Sequence, residues 1–152
     1  MKKLIKAKLT LLLSFLVVGS LSFAQDKVNI SEFGASATNL YNSNGLEISA
    51  VKEECSINEG QKDLVFAFLT FENTTSQEMN IVFSIAQYYD NGLCNGCNEE
   101  GEYTYALTIP ANSSISGDCN FEKSGTHVTL DNPNLAKEFS LVSLSITNLE
   151  IQ

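Results

Sequence analysis

The sequence predicts an all-β protein, built as an antiparallel β-sandwich of about seven to nine short strands. Beyond its N-terminal segment, the chain repeatedly alternates apolar and polar side chains and has almost no helical period. Clusters of Gly, Asn, Ser and Pro interrupt this alternation roughly every eight to twelve residues, which is the turn spacing of sandwiches and barrels. We prefer the sandwich.

The N-terminal segment has the pattern of a signal peptide. Residues 2–8 contain four lysines, residues 9–21 are mostly apolar, and Ser22 and Ala24 put small side chains at the −3 and −1 positions before Gln25. The apolar run is shorter than the ~20 residues of a membrane span. We therefore expect residues 1–24 to be cleaved on export. Residues 25–152 then form a single periplasmic or extracellular domain without a membrane span.

The charge composition limits the partners of this domain. The chain has no arginine, and residues 25–152 carry five lysines against eighteen acidic residues, a formal charge of −13. Such a surface repels phosphate backbones and anionic headgroups, so we expect no nucleic-acid partner. The charge suits cations or a basic partner, and it is equally consistent with a surface that only keeps the protein soluble.

The first strong strands are predicted in the N-terminal half of this domain. Residues 46–51 alternate after Gly45, and residues 58–61 form a turn. Residues 63–71 are apolar on both faces, which indicates a central strand rather than an edge strand. Weaker strand patterns cover residues 28–33 and 37–41.

The second half continues the pattern after a polar turn at residues 73–77. Residues 79–89 form a strand, residues 90–101 a long polar loop, and residues 102–109 a strand with clean alternation. Pro110 begins a turn into a short strand at residues 114–119. The last strong strand is predicted at residues 139–151, with a weak strand at 126–130 and a possible helical turn at 134–138. The residues expected to be largely buried are Phe66, Phe68, Leu69, Phe83, Ile85, Leu107 and Leu144.

The order of the strong strands resembles immunoglobulin-like or fibronectin-type domains of secreted bacterial proteins. In this resemblance, Phe71-Glu72-Asn73-Thr74-Thr75 forms the hairpin between two core strands. It covers most of residues 25–152 and implies an immunoglobulin-like antiparallel β-sandwich. It carries no functional residue, and the chain lacks the buried tryptophan of such domains because it has no tryptophan. Asn73-Thr74-Thr75 also fits the N-glycosylation pattern, which we interpret as turn chemistry.

Four cysteines, Cys55, Cys94, Cys97 and Cys119, predict two disulfides, because their number is even and the chain is exported. The strand directions place all four at one end of the sandwich. Cys94 and Cys97 flank an Asn-Gly turn, where their Cα atoms lie within the ~4.4–6.8 Å that a disulfide requires. We favour Cys94–Cys97 with Cys55–Cys119, while both crossed pairings stay open.

Two alternatives for the cysteines follow from Cys94-Asn95-Gly96-Cys97. Its spacing is that of a zinc knuckle, but the other two cysteines stand alone rather than as a second pair. Thioredoxin-like redox proteins also use this spacing, with the reactive thiolate at a helix N-terminus. Here the pair lies in a loop between strands, and the acidic residues after it disfavour a thiolate.

No catalytic residue is predicted. His127 is the single histidine, and no nucleophile motif accompanies it, so we interpret it as structural or exposed. The chain has no phosphate-binding glycine loop, dinucleotide fingerprint or histidine cluster. Eighteen acidic residues make pairs of carboxylates common by chance, so such pairs are not specific. The sequence therefore predicts no enzyme, no metal and no cofactor.

The best candidate for binding is the loop that carries Cys94 and Cys97, with the tyrosines beside it. Its oxygen ligands are of the kind that calcium takes, although they do not match the EF-hand register. Its tyrosines could stack on a glycan or anchor a protein partner. The sequence predicts an exported interaction or structural module, with calcium or carbohydrate binding as the alternative and a thiol redox protein as a remote one. The candidate residues are Tyr88, Tyr89, Asp90, Asn95, Asn98, Glu99, Glu100, Glu102 and Tyr103.

Overall fold

The computed structural model describes residues 27–57, 59–97, 103–134 and 138–152. These residues form ten strands and a 3₁₀ turn at Ile30–Glu32. The predicted signal peptide lies outside them. No helix within the described ranges is long and apolar enough to cross a membrane. The strands are β1 (Val28–Asn29), β2 (Thr38–Ser43), β3 (Leu46–Cys55), β4 (Leu64–Asn73), β5 (Met79–Tyr89), β6 (Cys94–Asn95), β7 (Thr104–Ile109), β8 (Ser113–Ser116), β9 (His127–Asp131) and β10 (Leu141–Ile151).

The strands form two antiparallel sheets. Sheet A has the order β1, β10, β5, and both β6 and β7 pair with the remaining edge of β5. Sheet B has the order β2, β3, β4, and both β8 and β9 pair with the remaining edge of β4. The predicted all-β antiparallel sandwich is confirmed. The strands number ten rather than seven to nine, because β1 and β6 are two-residue strands.

The weak patterns also correspond to short elements. Residues 28–33 contain β1 and the 3₁₀ turn, residues 37–41 overlap β2, and residues 126–130 overlap β9. The helical turn predicted at residues 134–138 falls largely outside the described residues.

The main core lies between the two central strands, β4 of sheet B and β5 of sheet A. The rings of Phe71 and Phe83 meet there, with 4.8 Å between their centroids. The predicted buried residues are buried, except that Leu107 is only half-buried. Leu107 lies on β7, which has β5 on one side and, among the described residues, no strand on the other. The inner-facing core includes Ile48, Leu69, Phe71, Ile81, Phe83, Ile85 and Ile146.

The expected hairpin after Phe71 is instead a crossing between the sheets. β4 belongs to sheet B and β5 to sheet A, so the two strands do not pair with each other. The physical reason is that both strands bury an apolar face, and these faces stabilise each other when they lie opposite across the core. The prediction of a hairpin at this turn was therefore wrong.

The side chain of Asn73 organises this crossing. It is 0% exposed. Its Nδ2 donates to the carbonyl oxygens of Gln77 (2.7 Å), Ile109 (3.1 Å) and Pro110 (3.1 Å). Its Oδ1 accepts from the backbone nitrogen (2.9 Å) and Oγ1 (2.7 Å) of Thr75. A buried amide with both ends satisfied holds the turn after β4 against the end of β7.

Two further backbone hydrogen bonds join neighbouring turns to this crossing. The nitrogen of Thr74 donates to the carbonyl oxygen of Gly45 (2.8 Å), in the turn between β2 and β3. The nitrogen of Asn112, between β7 and β8, donates to the carbonyl oxygen of Thr75 (2.9 Å). Three turns therefore meet at this end of the sandwich.

A second, smaller core covers the outer face of sheet B. Phe66 and Phe68 are buried there with Cys55, opposite the side of β4 that faces the main core. The cover is a loop, residues 118–125, which we call the covering loop. Its Phe121 packs on Phe66 with 4.8 Å between ring centroids. Both faces of β4 are thus buried, which explains its continuous apolar sequence.

The covering loop interrupts what would be one edge strand. The nitrogen of Gly117 donates to the carbonyl oxygen of Leu69 (3.0 Å). The nitrogen of Leu69 donates to the carbonyl oxygen of Thr126 (2.8 Å). A Cβ at Gly117 would collide with the carbonyl oxygen of Thr126, so the neck of the loop requires glycine. The strand predicted at residues 114–119 therefore ends at Ser116, and Cys119 lies in the loop.

The structure pairs Cys55 with Cys119 and Cys94 with Cys97, with Cα separations of 5.7 and 5.9 Å. This is the connectivity that the sequence analysis favours. The first disulfide ties the covering loop to β3, and the second closes the turn that follows β6. Both lie toward the end of the sandwich where β3 and β5 terminate, which we call the cysteine end.

Phe68→Ala should cost about 3–5 kcal/mol of unfolding free energy, because Phe68 is 2% exposed under the covering loop. Denaturant unfolding of the wild type and the variant measures this loss. Phe139→Ala is the matched control, since Phe139 is 40% exposed, and it should cost no more than about 1 kcal/mol. Equal losses in the two variants would show that the second core contributes no more than a surface contact.

Candidate functional site

The turn between β5 and β6, at the cysteine end, is held by its own polar groups. The nitrogen of Tyr89 donates to the carbonyl oxygen of Leu93 (3.0 Å), and the nitrogen of Leu93 donates to Oδ1 of Asn91 (3.0 Å). Asp90 anchors the turn to the segment before β10. Its nitrogen donates to the carbonyl oxygen of Ser140, and its Oδ1 accepts from the nitrogen of Ser140, each at 3.0 Å. Asp90, a predicted ligand, therefore has a structural role.

Tyr89 is half-buried among polar side chains. Its hydroxyl donates to Oε1 of Gln87 (3.0 Å) and accepts from Nδ2 of Asn95 (3.4 Å). Burial raises the pKa of Tyr89, and the nearby Tyr103 raises it further, while the hydrogen bond from Asn95 lowers it. Tyr89 is thus a neutral phenol at neutral pH. Three of the candidate residues, Tyr89, Asn95 and Tyr103, are brought together here.

Tyr88 lies on the outer face of sheet A. The Nζ of Lys27 is 3.7 Å from its ring centroid, which is a cation–π contact. Its hydroxyl is 3.4 Å from Oγ of Ser145 on the neighbouring strand. One face of the Tyr88 ring is therefore occupied by Lys27, which leaves less of the ring for stacking on a ligand.

The Cys94–Cys97 pair closes a tight turn beside β5. Gly96 has φ +73°, and a Cβ there would collide with the carbonyl oxygen of Ile85. The described residues place the pair between strands, with no α-helix N-terminus beside it. This geometry suits a structural disulfide, and the redox function stays a remote alternative.

The four remaining candidates, Asn98, Glu99, Glu100 and Glu102, lie outside the described residues. Among the described residues, no group of three or more His, Cys, Asp or Glu side chains is placed to hold a metal ion. The calcium hypothesis therefore depends on side chains that the structure does not describe, and it stays a prediction.

The structure adds an apolar surface that the sequence analysis did not single out. We call Tyr89, Leu93, Phe139 and Val142 the end patch. Leu93, Phe139 and Val142 are 55%, 40% and 42% exposed, and the rings of Tyr89 and Phe139 meet edge to face at 5.2 Å. Leu93 was visible as a lone apolar residue in a polar loop.

Val142 gave no such signal in the sequence. It is in phase with the inward-facing Leu144 and Ile146, so alternation alone would point it into the core. A register shift between Leu141 and Ser143 turns it outward instead.

His127 lies in the second core rather than at the end patch. Its ring contacts those of Phe121 (5.0 Å between centroids) and Phe66 (6.2 Å). Its buried Nδ1 has no hydrogen-bond partner among the residues that the structure describes. Burial lowers the pKa of His127, because the aromatic surroundings disfavour the charged imidazolium.

Comparison with known proteins gives one structural likeness. No family model and no curated protein matches the chain. A crystal structure of a DUF1425 family member from Shewanella sp. pv-4 overlaps 84% of this chain and 94% of its own, at 13% sequence identity and a TM-score of 0.39. An overlap this slight carries no argument about fold or function.

The position of His127 predicts how stability depends on pH. The folded state holds the pKa of His127 below the ~6.5 of the unfolded chain, so the unfolded state binds the proton more readily. Stability should therefore fall as the pH drops below ~6.5, until the folded-state pKa is reached. His127→Phe should remove this part of the pH dependence.

Thermal or denaturant unfolding of both proteins between about pH 7.5 and 5.5 measures the difference. His127 is the single histidine, so the carboxylates contribute equally to the two profiles. If the plots of unfolding free energy against pH run parallel for the wild type and His127→Phe, the folded state does not lower the pKa of His127.

Proposed function

We propose that this protein is an exported, non-enzymatic interaction module that binds a protein partner through the end patch. The observation that carries the proposal is that most of the exposed large apolar side chains of the described residues lie at the cysteine end. Three of the five large hydrophobic side chains that are exposed in the described residues belong to the end patch. A fourth, Ile57, follows Cys55 at the same end. Exposed apolar clusters on otherwise polar proteins mark interaction sites.

The support of the end patch favours binding by a preformed surface. Asp90 and Ser140 hold the turn before Leu93 against the segment that carries Phe139. The Cys94–Cys97 disulfide follows directly. Side chains on such a rigid support lose little conformational entropy when a partner binds.

Charge defines the chemistry of the partner. Asp90 and Glu138, both exposed, flank the end patch, and the expected mature chain carries a formal charge of −13. A partner surface with an apolar centre and a rim of Lys or Arg complements this arrangement. A partner with an acidic rim would be repelled.

The other hypotheses have less support. Calcium or carbohydrate binding by the acidic loop has no specific contact in its favour. The kinship with immunoglobulin-like or fibronectin-type domains of secreted bacterial proteins stays a proposal that rests on strand pattern. In those domains, as in this proposal, a rigid sandwich supports the loops that bind.

Selection from a random peptide-display library on the wild-type protein tests the proposal. A variant in which serine replaces both Leu93 and Phe139 is used for counter-selection, which removes peptides that bind elsewhere on the protein. We expect wild-type-selected peptides to combine apolar residues with Lys or Arg, and to bind the double variant about tenfold more weakly or worse. Fluorescence anisotropy of the synthesised peptides gives the affinities.

Ile151→Ser is the matched control, because Ile151 is an exposed apolar residue at the opposite end of the sandwich. It should leave peptide affinity unchanged. Peptides that bind the double variant as tightly as the wild type, or no enrichment at all, would contradict the proposal.

A further inference from the structure

The edges of the two sheets differ in how well they are protected against pairing with another chain. An edge strand presents unpaired backbone N–H and C=O groups, and proteins protect such edges with bulges, charges, prolines or covering segments. The sandwich has four edges, formed by β2, by β10 with β1, by β8 with β9, and by β6 with β7.

Three of these edges carry protective features. β2 has a register shift between Asn39 and Tyr41. β10 is covered at its start by β1, and further along it has a register shift at Asn148 (φ +51°) beside the charged Glu150. The edge formed by β8 and β9 is interrupted by the covering loop. Each feature disrupts a regular row of backbone groups.

The six residues of β7 contain no register shift, charge or proline. Its six residues pair with β5 in an unbroken register from Ser84–Thr104 to Met79–Ile109. Its sequence, Thr-Tyr-Ala-Leu-Thr-Ile, contains no charge and no proline. Residues of this kind favour extended strands. β7 is therefore a regular edge.

The register identifies the backbone groups that face outward. The nitrogen of Ile85 donates to the carbonyl oxygen of Tyr103 (3.1 Å), which makes this a hydrogen-bonded pair. Such pairs alternate along an antiparallel ladder, so Thr104, Ala106 and Thr108 occupy the non-bonded positions opposite β5. Their N–H and C=O groups point away from β5. Within the described ranges, these groups have no backbone partner.

The inward side chains of β7 offer an apolar contact beside this edge. Tyr105 and Leu107 pack against the main core and are half-buried, and Gly125 of the covering loop lies against one side of Tyr105. A strand added to β7 would place its alternate side chains next to them. Thr104, Ala106 and Thr108, on the opposite face, are small and exposed, so they leave room for long side chains.

We propose that β7 is a docking edge for an extended segment of a partner polypeptide, in which apolar residues alternate with Lys or Arg. The apolar residues cover Tyr105 and Leu107, and backbone hydrogen bonds to Thr104, Ala106 and Thr108 supply the pairing. The basic residues complement the formal charge of −13. A second copy of this chain would bring two strongly acidic domains together. This surface is distinct from the end patch.

Two synthetic peptides of equal composition test the docking edge. In one, lysine and valine alternate; in the other, the lysines and valines form separate blocks. The alternating peptide should bind the wild-type protein about tenfold more tightly, because it can form additional backbone hydrogen bonds to the edge. On binding, the amides of Thr104, Ala106 and Thr108 should gain protection from hydrogen exchange by NMR. Equal affinity for both peptides would reduce the interaction to net charge and overturn the proposal.

Ala106→Pro removes an outward N–H without removing a hydrogen bond to β5, because Ala106 lies opposite Val82 at a non-bonded position. This variant should bind the alternating peptide about tenfold more weakly, whereas Ala106→Thr, the matched control, should bind as the wild type does. If the proline prevents folding, Ala106→Lys places a charge on the edge instead and should weaken binding similarly. Unchanged affinity in a folded Ala106→Pro or Ala106→Lys variant would overturn the proposal.

The Leu93→Ser/Phe139→Ser double variant separates this inference from the proposed function. It should bind the alternating peptide as tightly as the wild type, since β7 is intact. Loss of that binding in the double variant would place the peptide on the end patch and overturn the docking edge. If only the end-patch proposal fails, Ala106→Pro and Ala106→Lys should still bind the alternating peptide more weakly than the wild type does.

Discussion

The buried amide of Asn73 is the constraint on which this arrangement of sheets depends. The chain must leave sheet B at the end of β4 and enter sheet A at the start of β5, so the backbone groups of the turn cannot pair within either sheet. Asn73 satisfies several of them, because it donates to the carbonyl oxygen of Gln77 and accepts two hydrogen bonds from Thr75. It also donates to two carbonyl oxygens at the end of β7. An apolar side chain of similar size would fill the space but leave these groups unpaired, which costs more than the lost contact itself.

The opposite end of the sandwich is held covalently rather than by a buried polar group. Cys55–Cys119 ties the covering loop over Phe66 and Phe68, and Cys94–Cys97 closes the turn after β6. The covering loop begins at Gly117, where a Cβ would collide with the carbonyl oxygen of Thr126, and the turn between Cys94 and Cys97 contains Gly96, where a Cβ would collide with that of Ile85. Leu93 and Phe139 stay exposed on two other segments, which Asp90 and Ser140 hold together.

Local periodicity was sufficient to predict the fold class, most strand positions and the burial of Phe68, because these depend on the alternation of neighbouring side chains. It did not predict which sheet a strand joins. The turn at Asn73 has the composition of a hairpin, but the packing of Phe71 against Phe83 across the core makes it a crossing. Alternation also fails at a bulge, which is why Val142 faces outward in the end patch. The half-burial of Leu107 follows from its place on an edge strand, a property of the whole sheet rather than of local sequence.

Equilibrium unfolding of Asn73→Ala tests the role of this amide most directly, with Asn39→Ala as the control, because Asn39 is an exposed asparagine on β2. Removal of the Asn73 side chain leaves several buried backbone groups without partners, so the free energy of unfolding should fall by about 3 kcal/mol or more. Asn39→Ala should change it by no more than about 0.5 kcal/mol. A loss below about 1 kcal/mol in Asn73→Ala would show that the crossing between the sheets does not depend on this side chain.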